Sequence, residues 1–81
     1  MQHFVYVLES ERDGRLYLGV TKGIASRIKR HEGGKVASTK FHRPFRLLGS
    51  REFGSFAEAR AAEVLLKRFK DSARVRSWIS S

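Results

Sequence analysis

The feature that most constrains this chain is an Asp13-Gly14 pair set between two short apolar runs. His3 to Leu8 and Arg15 to Val20 are rich in Val, Leu, Phe and Tyr, side chains that suit a pleated, half-buried surface. Ser10–Gly14 joins them and ends in the dipeptide that best tolerates the positive φ of a tight hairpin turn. An antiparallel hairpin is therefore expected at the start of the chain, and everything after it must cover that hairpin.

The remaining sixty or so residues supply the cover. Thr21 is placed to cap a helix over about 22–32, which Gly33-Gly34 would end. Residues 35–44 read as an irregular basic loop, and Arg46 to Phe53 as a third strand. Ser55-Phe56-Ala57-Glu58 is a capping-box pattern opening a helix to about Lys70. A short last helix over 72–79 would dock Val75, Trp78 and Ile79. The order ββαβαα predicts an α+β fold: a small, three-stranded, mainly antiparallel sheet flanked by helices. Eighty-one residues leave no room for a second core, so one domain spanning 1–81 is expected. The chain has no cysteine, which excludes disulfides and thiolate zinc sites. No apolar run reaches membrane-spanning length and no leader pattern opens the chain, so a cytoplasmic protein is expected.

Charge gives the first functional direction. Residues 21–51 hold nine Lys and Arg against one acid, Glu32, and account for nearly all of the net +9. A field concentrated in one third of the chain suggests a polyanionic partner. A solvated basic face is the bland alternative, and charge alone says nothing of catalysis.

Three groups of residues break the expected patterns. In the first helix Ile24 and Ile28 mark the apolar face, and Arg27 and His31 complete its i, i+3, i+4, i+7 series. Either could be structural, Arg27 by snorkelling at the core edge and His31 by a local hydrogen bond. In the second helix Phe56, Ala59, Ala62, Leu66 and Phe69 form an apolar stripe, and Glu63 falls inside it. A carboxylate there needs a partner: a basic side chain, for which Arg27 is a candidate, or a metal. The third group is Tyr6 and Tyr17, one on each hairpin strand, both readable as ordinary core aromatics. Beside Tyr17, Gly19 permits another backbone or a substrate to approach closely.

These residues carry a resemblance. Phe4-Val5-Tyr6 and Tyr17-Leu18-Gly19 resemble the two signatures of GIY-YIG nucleases, although Phe4 stands where the first signature has glycine. Thr21 to His31, with Arg27 and His31 in place, resembles the first helix of the family, and Glu63 matches its acidic residue. Gly23 occupies a position that is often polar there. Gly34 to Lys40 followed by Arg43-Pro44 is similar to small stand-alone bacterial members, and no additional DNA-targeting domain is visible.

The resemblance implies a metal-dependent endonuclease that hydrolyses phosphodiester bonds of nucleic acid, with DNA as the expected substrate. It implies Tyr17 as general base or water-positioning group, Tyr6 as a support in the hydrogen-bond network, and Arg27 as the group that stabilises charge on the phosphate. His31 would hold a neighbouring catalytic group or touch substrate, and Glu63 would ligate a single Mg²⁺ or Mn²⁺. The chemistry is coherent, because magnesium accepts few protein carboxylates when water and phosphate supply its other oxygens. Tyrosine, with an ordinary pKa of about 10, needs nearby cations to act as a base. Lys22, Lys35, Lys40 and Arg43 are the expected phosphate contacts. The alternative is a non-catalytic nucleic-acid-binding module that keeps the fold. An adaptor for other proteins is a third reading, and it explains the charge less well.

Overall fold

The computed structural model describes residues 2–33, 43–69 and 71–80. Its elements run β1 (His3–Ser10), β2 (Leu16–Thr21), α1 (Ile24–Glu32), β3 (Phe45–Phe53), α2 (Phe56–Arg68) and α3 (Ser72–Ser80). The sheet order is β2-β1-β3, with both pairings antiparallel. This is the expected α+β arrangement. The hairpin turns through Gly14 at φ +76°, a conformation that costs glycine little.

The central strand is covered on both faces, and this double cover places the site. Val5 pairs with Val20 and Val7 with Leu18, and directly opposed residues share a face. On that face Val5 and Val7 join Ala59 and Leu66 of α2 and Val75 and Ile79 of α3 in the core. On the opposite face Tyr6 pairs with Gly19 and Leu8 with Tyr17. Tyr6 and Leu8 are as well buried as the valines.

The β1–β3 register shifts between Val7 and Leu8: Val7 opposes Gly49, whereas Leu8 opposes Leu47. Leu48 is the extra residue of this β-bulge, and it packs with the core cluster. Since side chains alternate along a strand, the insertion moves Leu47 and Phe45 onto the face of Leu8 and Tyr6.

The helix starts differ in their chemistry. Ser55 caps α2, its hydroxyl accepting from the Glu58 backbone N–H as the capping box requires. Thr21 does not cap α1. The helix begins two residues later than expected, with Gly23 as N-cap and no side-chain cap bond. The Thr21 hydroxyl instead accepts from the Gly23 N–H at 3.1 Å, which folds the chain between strand and helix. Phe56, expected in the core stripe of α2, is 56% exposed. It is the first helical residue, and its ring lies edge-on to His3 at the end of the sheet.

Two ion pairs to Glu9 tie the far ends of the chain together. Arg46 of β3 donates to one carboxylate oxygen at 2.7 Å and Arg76 of α3 donates to the other. Glu9 thus links β1 to both later elements, and these two arginines hold its carboxyl below the usual value, Arg76 first.

Candidate active site

Tyr6, Tyr17, His31 and Phe45 lie on the sheet face opposite the α2–α3 core. Tyr6 extends from β1 across β2 and lies over Gly19. A Cβ at Gly19 would stand 2.6 Å from Cζ of the Tyr6 ring, a separation that real atoms do not tolerate. The close approach expected at Gly19 is therefore filled by the phenol of Tyr6, neither by another backbone nor by substrate.

His31, in the last turn of α1, meets that phenol. Its Nε2 stands 3.2 Å from the Tyr6 hydroxyl, and both residues are buried. Four rings succeed one another edge to face: Tyr6 with His31, His31 with Phe45, and Phe45 with Tyr17 at 5.5 Å. Edge-to-face pairs hold ring orientation as well as area. Phe45 is thus the link between the two signature tyrosines, and sequence reading did not identify it. The signal available was Gly49, since glycine inside a strand often marks a bulge. Strand alternation without the bulge puts Phe45 on the other face. Glu32 also fixes this residue, because its carboxylate accepts from the Phe45 backbone N–H at 2.7 Å.

Burial sets the protonation states. Removal from water raises the Tyr6 pKa above its ordinary value; Arg27 and Arg30 oppose that rise, and Glu63 adds to it. Desolvation also lowers the His31 pKa, reinforced by Arg27 and Arg30 and opposed by Glu32. Both groups are consequently neutral near pH 7, and they share a proton donor–acceptor contact whose direction depends on the imidazole tautomer.

Arg27 is half-buried on α1 and lines a shallow depression with Lys22, Thr21, Val20, His3 and Phe56. Lys22 is exposed at its rim. Glu63 is buried on α2, as its place in the apolar stripe predicts. Its cationic neighbours are Arg60, on Oε1, and Lys67, 3.5 Å from Oε2, both on its own helix. Arg27 is not its ion-pair partner, because side chains three and four residues away on the same helix lie closer. Arg43 donates to the Glu32 carbonyl at 3.0 Å and so braces the end of α1. Lys35 and Lys40 lie outside the described residues.

The oxygen chemistry of Glu63 fits a hard divalent ion. Each of its oxygens meets one cation, and an ionised carboxylate offers about four acceptor positions in all. Among the described residues no group of three or more His, Cys, Asp or Glu could hold a metal ion. An ion at Glu63 would therefore take its remaining ligands from water and substrate, as magnesium readily does.

A family model described as the GIY-YIG catalytic domain matches residues 2–75. A UPF0213 protein of Cupriavidus pinatubonensis is 36% identical over 75 residues, covering 91% of this chain and 82% of that protein. A UPF0213 protein of Halalkalibacterium halodurans is 43% identical over 68 residues, covering 83% of this chain and 71% of that protein. The solution NMR structure of a UPF0213 protein from Bacillus halodurans is similar with a TM-score of 0.59 at 38% identity, covering 94% of this chain and 81% of that one. Among the described residues no helix is long and apolar enough to cross a membrane.

Proposed function

Because the chain belongs to the GIY-YIG family of nuclease catalytic domains, we propose that it is an endonuclease that uses a divalent metal to hydrolyse phosphodiester bonds in nucleic acid, with DNA as substrate. The observation that carries the reading is the buried Tyr6–His31 contact, joined through Phe45 to Tyr17 by a run of edge-to-face rings. Burying so much polar chemistry is costly for a fold of this size, and a site gives it a reason.

Tyr17, after giving its phenolic proton to solvent, orients the attacking water and takes one of its protons as the water oxygen bonds to phosphorus. The ester P–O bond breaks on the opposite side, and the leaving oxygen is protonated from solvent. Arg27 meets the negative charge that builds on the phosphate oxygens. Tyr6 keeps its proton and, with His31, holds the floor on which Tyr17 and Phe45 are oriented. Glu63 would hold a Mg²⁺ or Mn²⁺, which would supply further charge neutralisation at the phosphate. Lys22 at the rim of the depression, with Lys35, Lys40 and Arg43, supplies contacts to flanking phosphates.

A binding module without catalysis has one observation in its favour: Glu63 already has Arg60 and Lys67 beside it. Incubation with plasmid, branched and single-stranded substrates in Mg²⁺, Mn²⁺ or EDTA separates the two readings. Cleavage that EDTA abolishes is the expected result. Binding without cleavage on every substrate, with either metal, would favour the module.

A further inference from the structure

Glu32 is the one acid among nine Lys and Arg in residues 21–51, and it is exposed. On a surface that gathers phosphates a carboxylate weakens the field, so its place calls for another purpose. Its bonds supply one. Glu32 is the last residue of α1 and grips the start of β3 at two points: its carboxylate accepts from the Phe45 N–H at 2.7 Å, and its carbonyl accepts from the Arg43 guanidinium at 3.0 Å. A backbone N–H bonds an ionised carboxylate more strongly than a neutral acceptor. The Pro44 carbonyl, on the same peptide group as the Phe45 N–H, accepts from the Glu11 N–H at 2.8 Å. That planar group is thus held at both ends, by Glu32 on one side and by the chain leaving β1 on the other.

The peptide plane aims the Phe45 side chain. Phe45 opens β3, an edge strand of the sheet, and strand ends without such ties are the first to fray. Its ring meets His31 at 5.8 Å and Tyr17 at 5.5 Å, the second contact at 88°. Tyr17 stands on β2, the opposite edge, so the two rings meet across β1. Phe45 is a wall against which the Tyr17 ring packs, and a shift of the wall carries to the Tyr17 hydroxyl. Misplacing a reacting group by about 1 Å can cost about 10²-fold in rate. Glu32 needs no contact with substrate to have this effect.

We propose that Glu32 is a positioning residue: by holding the Phe45 backbone it sets the orientation of the Tyr17 phenol. The inference rests on Tyr17 as the group that orients water, so its test includes a measurement that needs no cleavage. On the full chain, nuclear Overhauser spectra are recorded beside steady-state cleavage of the best-cut substrate in Mg²⁺. The Tyr17 and Phe45 rings should give a cross-peak in wild type, and because the chain has two tyrosines, Tyr17→Phe assigns it. Glu32→Ala alters an exposed side chain, so the fold should survive while the cross-peak weakens and kcat falls by about 10²-fold. KM should hold or fall, since the surface has become more basic. Glu32→Gln keeps an acceptor oxygen without the charge and should rescue both the cross-peak and most of kcat. In a Tyr17→Phe background Glu32→Ala should cost nothing further, because both act through one hydroxyl. A Glu32→Ala variant with wild-type cross-peak and kcat overturns the proposal, as does a loss that adds in full to that of Tyr17→Phe. Failure of Glu32→Gln to rescue also overturns it, and would make the carboxylate act by its charge on neighbouring His31. A wild type that cuts no substrate sinks the nuclease reading alone; the cross-peak in Glu32→Ala and Glu32→Gln then decides whether Glu32 holds Tyr17.

Discussion

At the residue scale the site rests on side chains whose places are set by their neighbours. Tyr6 is buried only because Gly19 leaves the space above β2 empty. Gly19→Ala should therefore displace the Tyr6 ring and separate it from His31. Overpacking of this kind costs about 1–3 kcal/mol, so a thermal melt should show clear destabilisation, and cleavage should fall with it. A variant as stable and active as wild type would show that the site does not depend on Gly19. Tyr17→Phe is the complementary change, since it keeps the ring that meets Phe45 and removes only the hydroxyl. Its fold should survive while the cleavage rate drops by about 10²–10⁴-fold, the usual worth of a general base. Cleavage at the wild-type rate would reduce Tyr17 to a packing aromatic.

At the scale of elements, the hairpin, the three strands and the three helices were legible in the sequence because each has a strong local cause. Asp13-Gly14 makes the turn, and Ser55 with Glu58 opens α2. The misplacements have local causes as well. Thr21 satisfies the Gly23 N–H outside the helix, so its hydroxyl never reaches α1. The bulge at Leu48 inverts strand parity, so alternation could not place Phe45 beside Tyr17. Arg27, His31 and Glu63 were detectable because they interrupt apolar periodicity. Which of them meet one another depends on how α1 and α2 dock, and periodicity does not contain that. The Glu9 link also belongs to this scale. A carboxyl held below its ordinary pKa of 4.5 stabilises the fold above that value and loses its contribution as pH falls through the depressed one. Urea melts should show wild type losing stability as pH drops below 4.5. Glu9→Gln should be less stable at neutral pH and should converge with wild type in acid. A constant gap between the two across the titration would show that the arginines do not act through this charge.

At the scale of the whole molecule, a net +9 with its excess in residues 21–51 predicts affinity for nucleic acid that depends on salt and little on base sequence. Lys35→Ala and Lys40→Ala should each flatten the slope of log affinity against log salt by about 1. An unchanged slope would take those lysines out of the interface. Binding of this kind is common to an enzyme and a binding module, so it cannot choose between them; Glu63 can. Its cationic neighbours are each 53% exposed and stay solvated without it, so their loss of a partner should be worth about 1 kcal/mol or less. Glu63→Gln keeps the shape of the side chain and removes the charge that a hard ion requires. The most direct test is therefore a cleavage titration with Mg²⁺ and Mn²⁺ on this variant, run beside a thermal melt and a binding titration. Cleavage should be lost, or return only at much higher metal concentration, while melting and nucleic-acid affinity stay near wild type. A variant that is destabilised yet cleaves with wild-type metal dependence would make Glu63 a structural ion pair and contradict the proposed mechanism.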